Sequence, residues 1–366
     1  MTPAEARAQF PVLERFAYLN AGSLGPLSRA TLDAMAQRLR FDQEHGRAGR
    51  AWFDDMLALR ARLRTQLAEQ IGTSADRIAL TGSTTDGCNI VVSGLDLGPG
   101  DEVVTTDAEH PGLLLPLHVS GAQVRIAEAS ARPSADALQT ILSCITPRTR
   151  LLALSHVLWT TGQRMPVHEL KHESGLPVLV DGAQSVGAIP VELGELDYYT
   201  VSCQKWLCGP EPTGALYVRE PEELRIAVPS AFAQTSIERD GTFTPREGAA
   251  RFDSGWITPP ALAGLEAALV GAPEWRFERA AEMAERCRAA LSESFEVIGE
   301  QMESTLVSFV PEGDPAGVSA RLYDEGVVVR DLPGTGWLRA SCGWWTNEDD
   351  IERLVAGLSQ LSGSSA

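Results

Sequence analysis

Five short segments carry side chains that could do chemistry together, each at the end of a strand-like run. Lys205, in VSCQKWLCGP, is flanked by Trp206 and Leu207. Apolar company penalises an ammonium, so the amine there is easier to deprotonate and more nucleophilic. Asp181 closes the apolar run of VLVDGAQS. A buried carboxylate is costly without a partner, and a protonated pyridine nitrogen is one such partner, which makes a heteroaromatic ring an electron sink. In GSTTDG (82–87), the hydroxyls of Ser83, Thr84 and Thr85 and the free N–H groups of a following helix would seat a phosphate. His110, in TDAEHPG, could stack on a flat ring. Arg339, in GWLRASCGWW, lies between apolar residues and needs an anion; its fork suits a carboxylate. Taken singly, each has a plainer role: a snorkelling lysine, capping Asp, Ser and Thr side chains, a packed histidine, an internal salt bridge. Their occurrence together, each at an element end, favours one shared site.

The elements that must position them alternate. Residues 28–43 and 54–72 read as amphipathic helices. From about residue 78, apolar runs end in small or polar clusters: RIALTGSTT, EVVTTDAEHPG, RLLALSHV, PVLVDGAQS, DYYTVSCQKW and GALYVRE, with helical stretches such as 135–144 between them. Strands alternating with helices predict a largely parallel α/β sheet, which places ligands beyond the C-terminal ends of its strands. Helices over 276–294 and 348–361, around the runs STLVSFV, GVVVR and WLRAS, predict a smaller α+β domain. The stretch 241–263 is expected to carry active-site loops and to lead into an interdomain helix. The expected division is 14–255 for the large domain, and 1–13 with 256–366 for the small domain and that helix.

Bulk properties narrow the function. The chain has 366 residues, 44% of them hydrophobic and 22% charged, with a formal net charge of -18. That charge argues against nucleic acid or an anionic membrane as partner. No run approaches the roughly 18 uninterrupted apolar residues of a membrane span, and the N-terminus lacks the pattern of a secretory signal. The six cysteines form no CxxC pair and the six histidines no HExxH motif, so no metal is expected. A reduced, cytoplasmic protein is the expectation.

Those same segments resemble the class V branch of the fold-type I pyridoxal 5′-phosphate (PLP) enzymes, a group holding cysteine desulfurases, C–S lyases, kynureninase-like enzymes and some epimerases. The matching stretches, in order over nearly the whole chain, are YLNAGSLGP, GSTTDGCN, TTDAEHPG, VLVDGAQSVGAIPV, DYYTVSCQKWLCGPEPTGALYVR and LRASCGWWTNEDDIERL. The resemblance implies a large domain with a mainly parallel mixed sheet between helices, a smaller α+β C-terminal domain, and a homodimer. It implies that Lys205 carries PLP and shuttles a proton, that Asp181 pairs with the pyridine nitrogen, and that Gln184 sits near the phenolic oxygen. His110 would stack on the ring, and Thr84, Thr85 and Ser202 would hold the phosphate with Gln204 nearby. Arg339 would bind the substrate carboxylate, helped by the backbone of Asn20 and Ala21.

Departures from the family pattern direct the reaction. Desulfurases carry a nucleophilic cysteine on a loop shortly before the arginine motif; here that loop reads VVVRDLPGTGWLRAS, and Cys342 follows Arg339 instead. Trp159 stands where desulfurases tend to have a cofactor-touching asparagine, and this segment is similar to that of cystine C–S lyases. Gln204 replaces the histidine common before the lysine, and Trp256 a threonine that reaches the neighbouring subunit's phosphate. The expected activity is β-elimination at the C–S bond of L-cystine, L-cysteine or an S-substituted cysteine or sulfoxide, giving pyruvate, ammonia and a sulfur product. Transamination, cysteine desulfuration and amino-acid epimerisation are the alternatives from the same chemistry. A catalytically silent α/β scaffold is the non-enzymatic one.

Overall fold

The computed structural model describes residues 1–130, 132–299 and 304–363. In chain order its strands are β1 (Ala17–Tyr18), β2 (Ile78–Thr81), β3 (Glu102–Thr106), β4 (Gln123–Ala127), β5 (Thr149–Ser155), β6 (Val178–Asp181) and β7 (Tyr198–Ser202). They continue with β8 (Gly214–Val218), β9 (Gln234–Ile237), β10 (Phe243–Pro245), β11 (Leu306–Phe309), β12 (Val327–Val328), β13 (Arg330–Leu332) and β14 (Trp337–Ser341).

The main sheet has seven strands in the order β2-β8-β7-β6-β5-β3-β4. From β4 to β7 all neighbours are parallel. β8 runs antiparallel to both β7 and β2, so β2 points the same way as the parallel set. This is the mainly parallel mixed sheet the sequence predicts. β2, β3, β6 and β8 are buried at every position, which is why they read as apolar runs rather than as alternating patterns. The edge strand β4 is part-exposed and mixed in character, and carries no such signal. Helices Thr84–Gly94, Pro111–Val119 and Val167–Ser174 each follow a strand and return the chain to the sheet.

A second sheet, β11-β14-β13, is antiparallel and packs on helices Arg276–Ser292 and Pro315–Asp324. Its core joins Met283, Leu291, Phe309, Leu322, Leu338 and Leu354 with Ala17 and Leu19 from the N-terminal segment. Conversely Ile257, Leu262, Leu265 and Leu269 pack into the large core, together with Phe10 and Leu13. The N-terminal segment thus contributes to both cores, and the residues just after 256 to the larger one. The parallel pairing of β1 with β12 carries the N-terminal strand into the smaller unit. Among the described residues no helix is long and apolar enough to cross a membrane.

Candidate active site

Because β2, β3, β5, β6 and β7 share one direction, the segments after them open on one edge of the sheet. There lies a cavity of about 280 Å³ lined by Ser83, Thr84, Thr85, His110, Trp159, Gln184, Ser202, Gln204, Lys205 and Arg339. A narrower pocket adds Asp181 to His110, Trp159, Gln184 and Lys205. The structure thus gathers these sequence-predicted residues from segments more than 250 positions apart. Asn20 and Ala21 do not line the cavity; the next two residues, Gly22 and Ser23, do. Asn20 instead bridges to Ser341, and the Ser341 N–H donates to the Leu19 carbonyl, so the N-terminal segment is clamped to β14.

Lys205 sits in the turn after β7, half-buried by its surroundings, with its amine pushed down to about 8. Burial is the main cause; the Asp181 carboxylate opposes it and Arg339 adds to it. The turn is held from the N-terminal side by Gly25, whose N–H donates to the Gln204 carbonyl at 2.8 Å. A Cβ on Gly25 would lie 2.0 Å from the Lys205 carbonyl oxygen, so only glycine permits this approach. Asp181 is buried at the tip of β6, and one of its oxygens accepts from the Ala183 N–H at 2.9 Å.

The helix Thr84–Gly94 starts at the cavity wall. Ser83 caps it by accepting from the Asp86 N–H at 3.1 Å, while Ser202 donates to the Thr84 hydroxyl at 3.4 Å. A helix start with spare N–H groups and flanking hydroxyls attracts an anion through its dipole and through direct donors. His110 caps the helix Pro111–Val119 by accepting the Gly112 N–H on Nδ1 at 3.0 Å. That bond leaves the proton on Nε2 of a neutral ring, and burial together with nearby Lys205 lowers the tendency of the ring to take a second. Trp159 meets His110 edge-to-face at 5.4 Å. Gln184 is pinned at both ends of its amide, donating to the Gly22 carbonyl and accepting from Trp206 Nε1.

Arg339 is 1% exposed and makes no ion pair among the described residues. Its Nη1 donates to the Trp159 carbonyl at 2.6 Å and its Nε has no partner. Burial, with Arg330 close by, pulls its guanidinium down to about 9. A buried guanidinium without a carboxylate calls for an anionic ligand.

Two further residues escaped sequence reasoning. Arg330, in the loop where the absent cysteine was sought, faces the same cavity. Glu109 is buried behind it, accepting from Thr106 Oγ1 at 2.5 Å, Ser155 Oγ at 2.6 Å and the Ser155 N–H at 2.9 Å. Burial raises its carboxyl to about 7 despite these donors, and the Asp181 charge adds to the rise. The only hint in the sequence was an acid beside His110 just past an apolar strand. Cys342, by contrast, is fully buried in the smaller core, its thiol held high by Cys287 and by burial. Trp256 lies outside the cavity, exposed and stacked on Trp52 at 6.2 Å.

These features fit PLP carrying an amino acid: a depressed amine beside a buried carboxylate, an anion seat at a helix start, and an unpaired guanidinium opposite. The unpartnered buried Trp159 Nε1 and Gln204 Oε1 are further polar atoms that a bound polar group would satisfy. The family model for aminotransferase class-V matches residues 21–354, and the chain belongs to that PLP-dependent family. It is 29% identical to isopenicillin N epimerase of Amycolatopsis lactamdurans over 98% of each chain. It is 26% identical to a cysteine desulfurase of Klebsiella pneumoniae over 98% of this chain and 97% of that one. Among solved structures it is similar to the cystine C–S lyase C-DES in complex with its reaction product cysteine persulfide. The TM-score there is 0.89, with 30% identity over 96% of this chain and 99% of the other. A lysine-to-alanine mutant of C-DES with glycine covalently linked to its PLP superposes equally well, with a TM-score of 0.90.

Proposed function

We propose that this PLP enzyme is a C–S lyase that eliminates sulfur from a cystine-like substrate. The observation that carries the reading is the pair Arg330 and Arg339 on one cavity wall whose lining includes no cysteine among the described residues. Cystine has two carboxylates, one for each guanidinium, and its disulfide supplies a leaving group that needs no attacking thiol. The likeness to C-DES supports the same substrate class.

When bound, PLP supplies an electron sink that acidifies the substrate α-C–H and passes charge toward Cβ. Lys205 would hold the cofactor and, once displaced by the substrate amine, take the α-proton on Nζ; an amine near 8 is deprotonated often enough to act as general base. Asp181 would keep the ring nitrogen protonated, and the neutral His110 ring would cover the cofactor face. Thr84, Thr85 and Ser202 would seat the phosphate. Arg339 would orient the reacting half of the substrate by its carboxylate, and Arg330 would hold the distal one. The Cβ–S bond then breaks with its electron pair going to sulfur, and the three-carbon fragment hydrolyses to pyruvate and ammonia.

Product analysis with L-cystine, L-cysteine and a cysteine sulfoxide tests this directly. Pyruvate with a persulfide product from cystine is expected. Alanine would mean sulfur abstraction, and inversion at Cα without pyruvate would favour the epimerase reading that the 29% identical relative supports. Arg330→Ala should raise KM for cystine by roughly tenfold, the worth of one charge-assisted hydrogen bond, and leave cysteine turnover little changed. Equal losses on both substrates would remove Arg330 from the distal role.

A further inference from the structure

A second cavity, of about 500 Å³, shares no lining residue with the active site. It lies between the helix Arg50–Gln70 and the hairpin β9–β10, and its wall carries Arg60, Arg64 and Arg246 beside Phe232 and Asp253. Arg60 is 1% exposed; its Nη2 donates to Asp253 at 2.8 Å, its guanidinium lies 4.8 Å from the centre of the Phe232 ring, and its Nη1 has no partner. Arg64, one turn later, donates to the same Asp253 oxygen, and its Nε has no partner either. The other Asp253 oxygen is taken by the Leu80 N–H at 2.8 Å. Arg246 makes no ion pair among the described residues and spends its Nε on the Phe232 carbonyl.

Three guanidiniums therefore face one buried carboxylate whose two oxygens are already engaged, and among the described lining residues the one other carboxylate is the exposed Glu247 at the rim. Arg64 is held below the ordinary arginine range by burial, and Arg60 and Arg246 repel it further. In a chain of net charge -18 this is a local reversal of sign. Buried cations with spare donors are costly until an anion satisfies them. The cavity is large enough for a small molecule.

We propose that this cavity is a binding site for a small oxyanion, a phosphate or a carboxylate, held by Arg64, Arg246 and the free Nη1 of Arg60. Calorimetric titration of the PLP-saturated protein with inorganic phosphate, and separately with succinate, at constant ionic strength tests it. Saturation with PLP keeps the added anion out of the seat at Thr84 and Thr85. One site per chain, besides any succinate held at Arg330 and Arg339, is expected for at least one of the two anions, weakened roughly tenfold or more in Arg246→Gln. Ala61→Glu is the second variant. Ala61 borders the cavity on an exposed helix face, so this change keeps the helix and brings in a competing carboxylate; it should weaken binding likewise. Circular dichroism checks that both variants are folded. No binding of either anion, or binding that neither variant alters, overturns the proposal.

Discussion

Lys205 and Glu109 show how the same desolvation acts in opposite directions on opposite charges. Burial favours the neutral amine and the neutral acid, so the lysine moves down to about 8 and the glutamate up to about 7. For the lysine, the reactive free amine accumulates as pH rises. Loading of the apoprotein with PLP should therefore accelerate up to about pH 8 and level off above it, followed by cofactor absorbance. A rate that climbs unbroken toward pH 10 would return Lys205 to an ordinary environment. For Glu109, the folded form resists ionisation more than the unfolded chain does. Its contribution is thus fully present below 4.5 and is lost as pH rises through about 7. Relative to Glu109→Gln, the natural protein should lose up to about 1.4 kcal/mol of stability per pH unit across that window. Parallel denaturation profiles for the two proteins would contradict this.

At the scale of elements, the site depends on how closely the N-terminal segment approaches β14 and the lysine turn. Gly22 makes this visible, since a Cβ there would lie 2.7 Å from Arg339 Nη2 and 2.9 Å from Ser341 Oγ. Gly22→Ala should displace the guanidinium and raise KM by roughly tenfold, with a smaller change in kcat and little loss of folding stability. An unchanged KM would show that Arg339 does not depend on that close approach. The sequence displayed the strands and their functional ends plainly, because buried parallel strands are apolar throughout. It did not display the clamp, because Asn20–Ser23 and β14 are separated by over 300 residues and meet only through tertiary packing. Nor did it separate Gly22 and Ser23, which line the cavity, from Asn20 and Ala21, which sit just outside it.

At the scale of the whole molecule, the helix Arg29–His45 buries only Thr31. Leu32 and Leu39, one heptad apart and so on one face, are 59% and 57% exposed. An apolar patch of this kind marks an interaction surface. We propose that a second copy of the chain covers it, as in the homodimer the family resemblance implies. Sedimentation should show a dimer for the natural chain and a shift toward monomer for Leu39→Glu; a natural chain that sediments as a monomer would refute the assignment.

By itself the sequence determined the strand ends, the cofactor class and most of the residues that line the cavity, because these rest on local patterns: apolar runs that must be buried, and lysine, aspartate and hydroxyl motifs at their tips. Tertiary structure alone decided the rest. Arg330 became a site residue only when β13 was laid against β14, and Glu109 became a near-neutral acid only when packing removed its water. The three arginines of the second cavity met only when Asp253 was buried between two of them. In each case the deciding quantity is the loss of solvent around a charge, and that depends on neighbours far away along the chain.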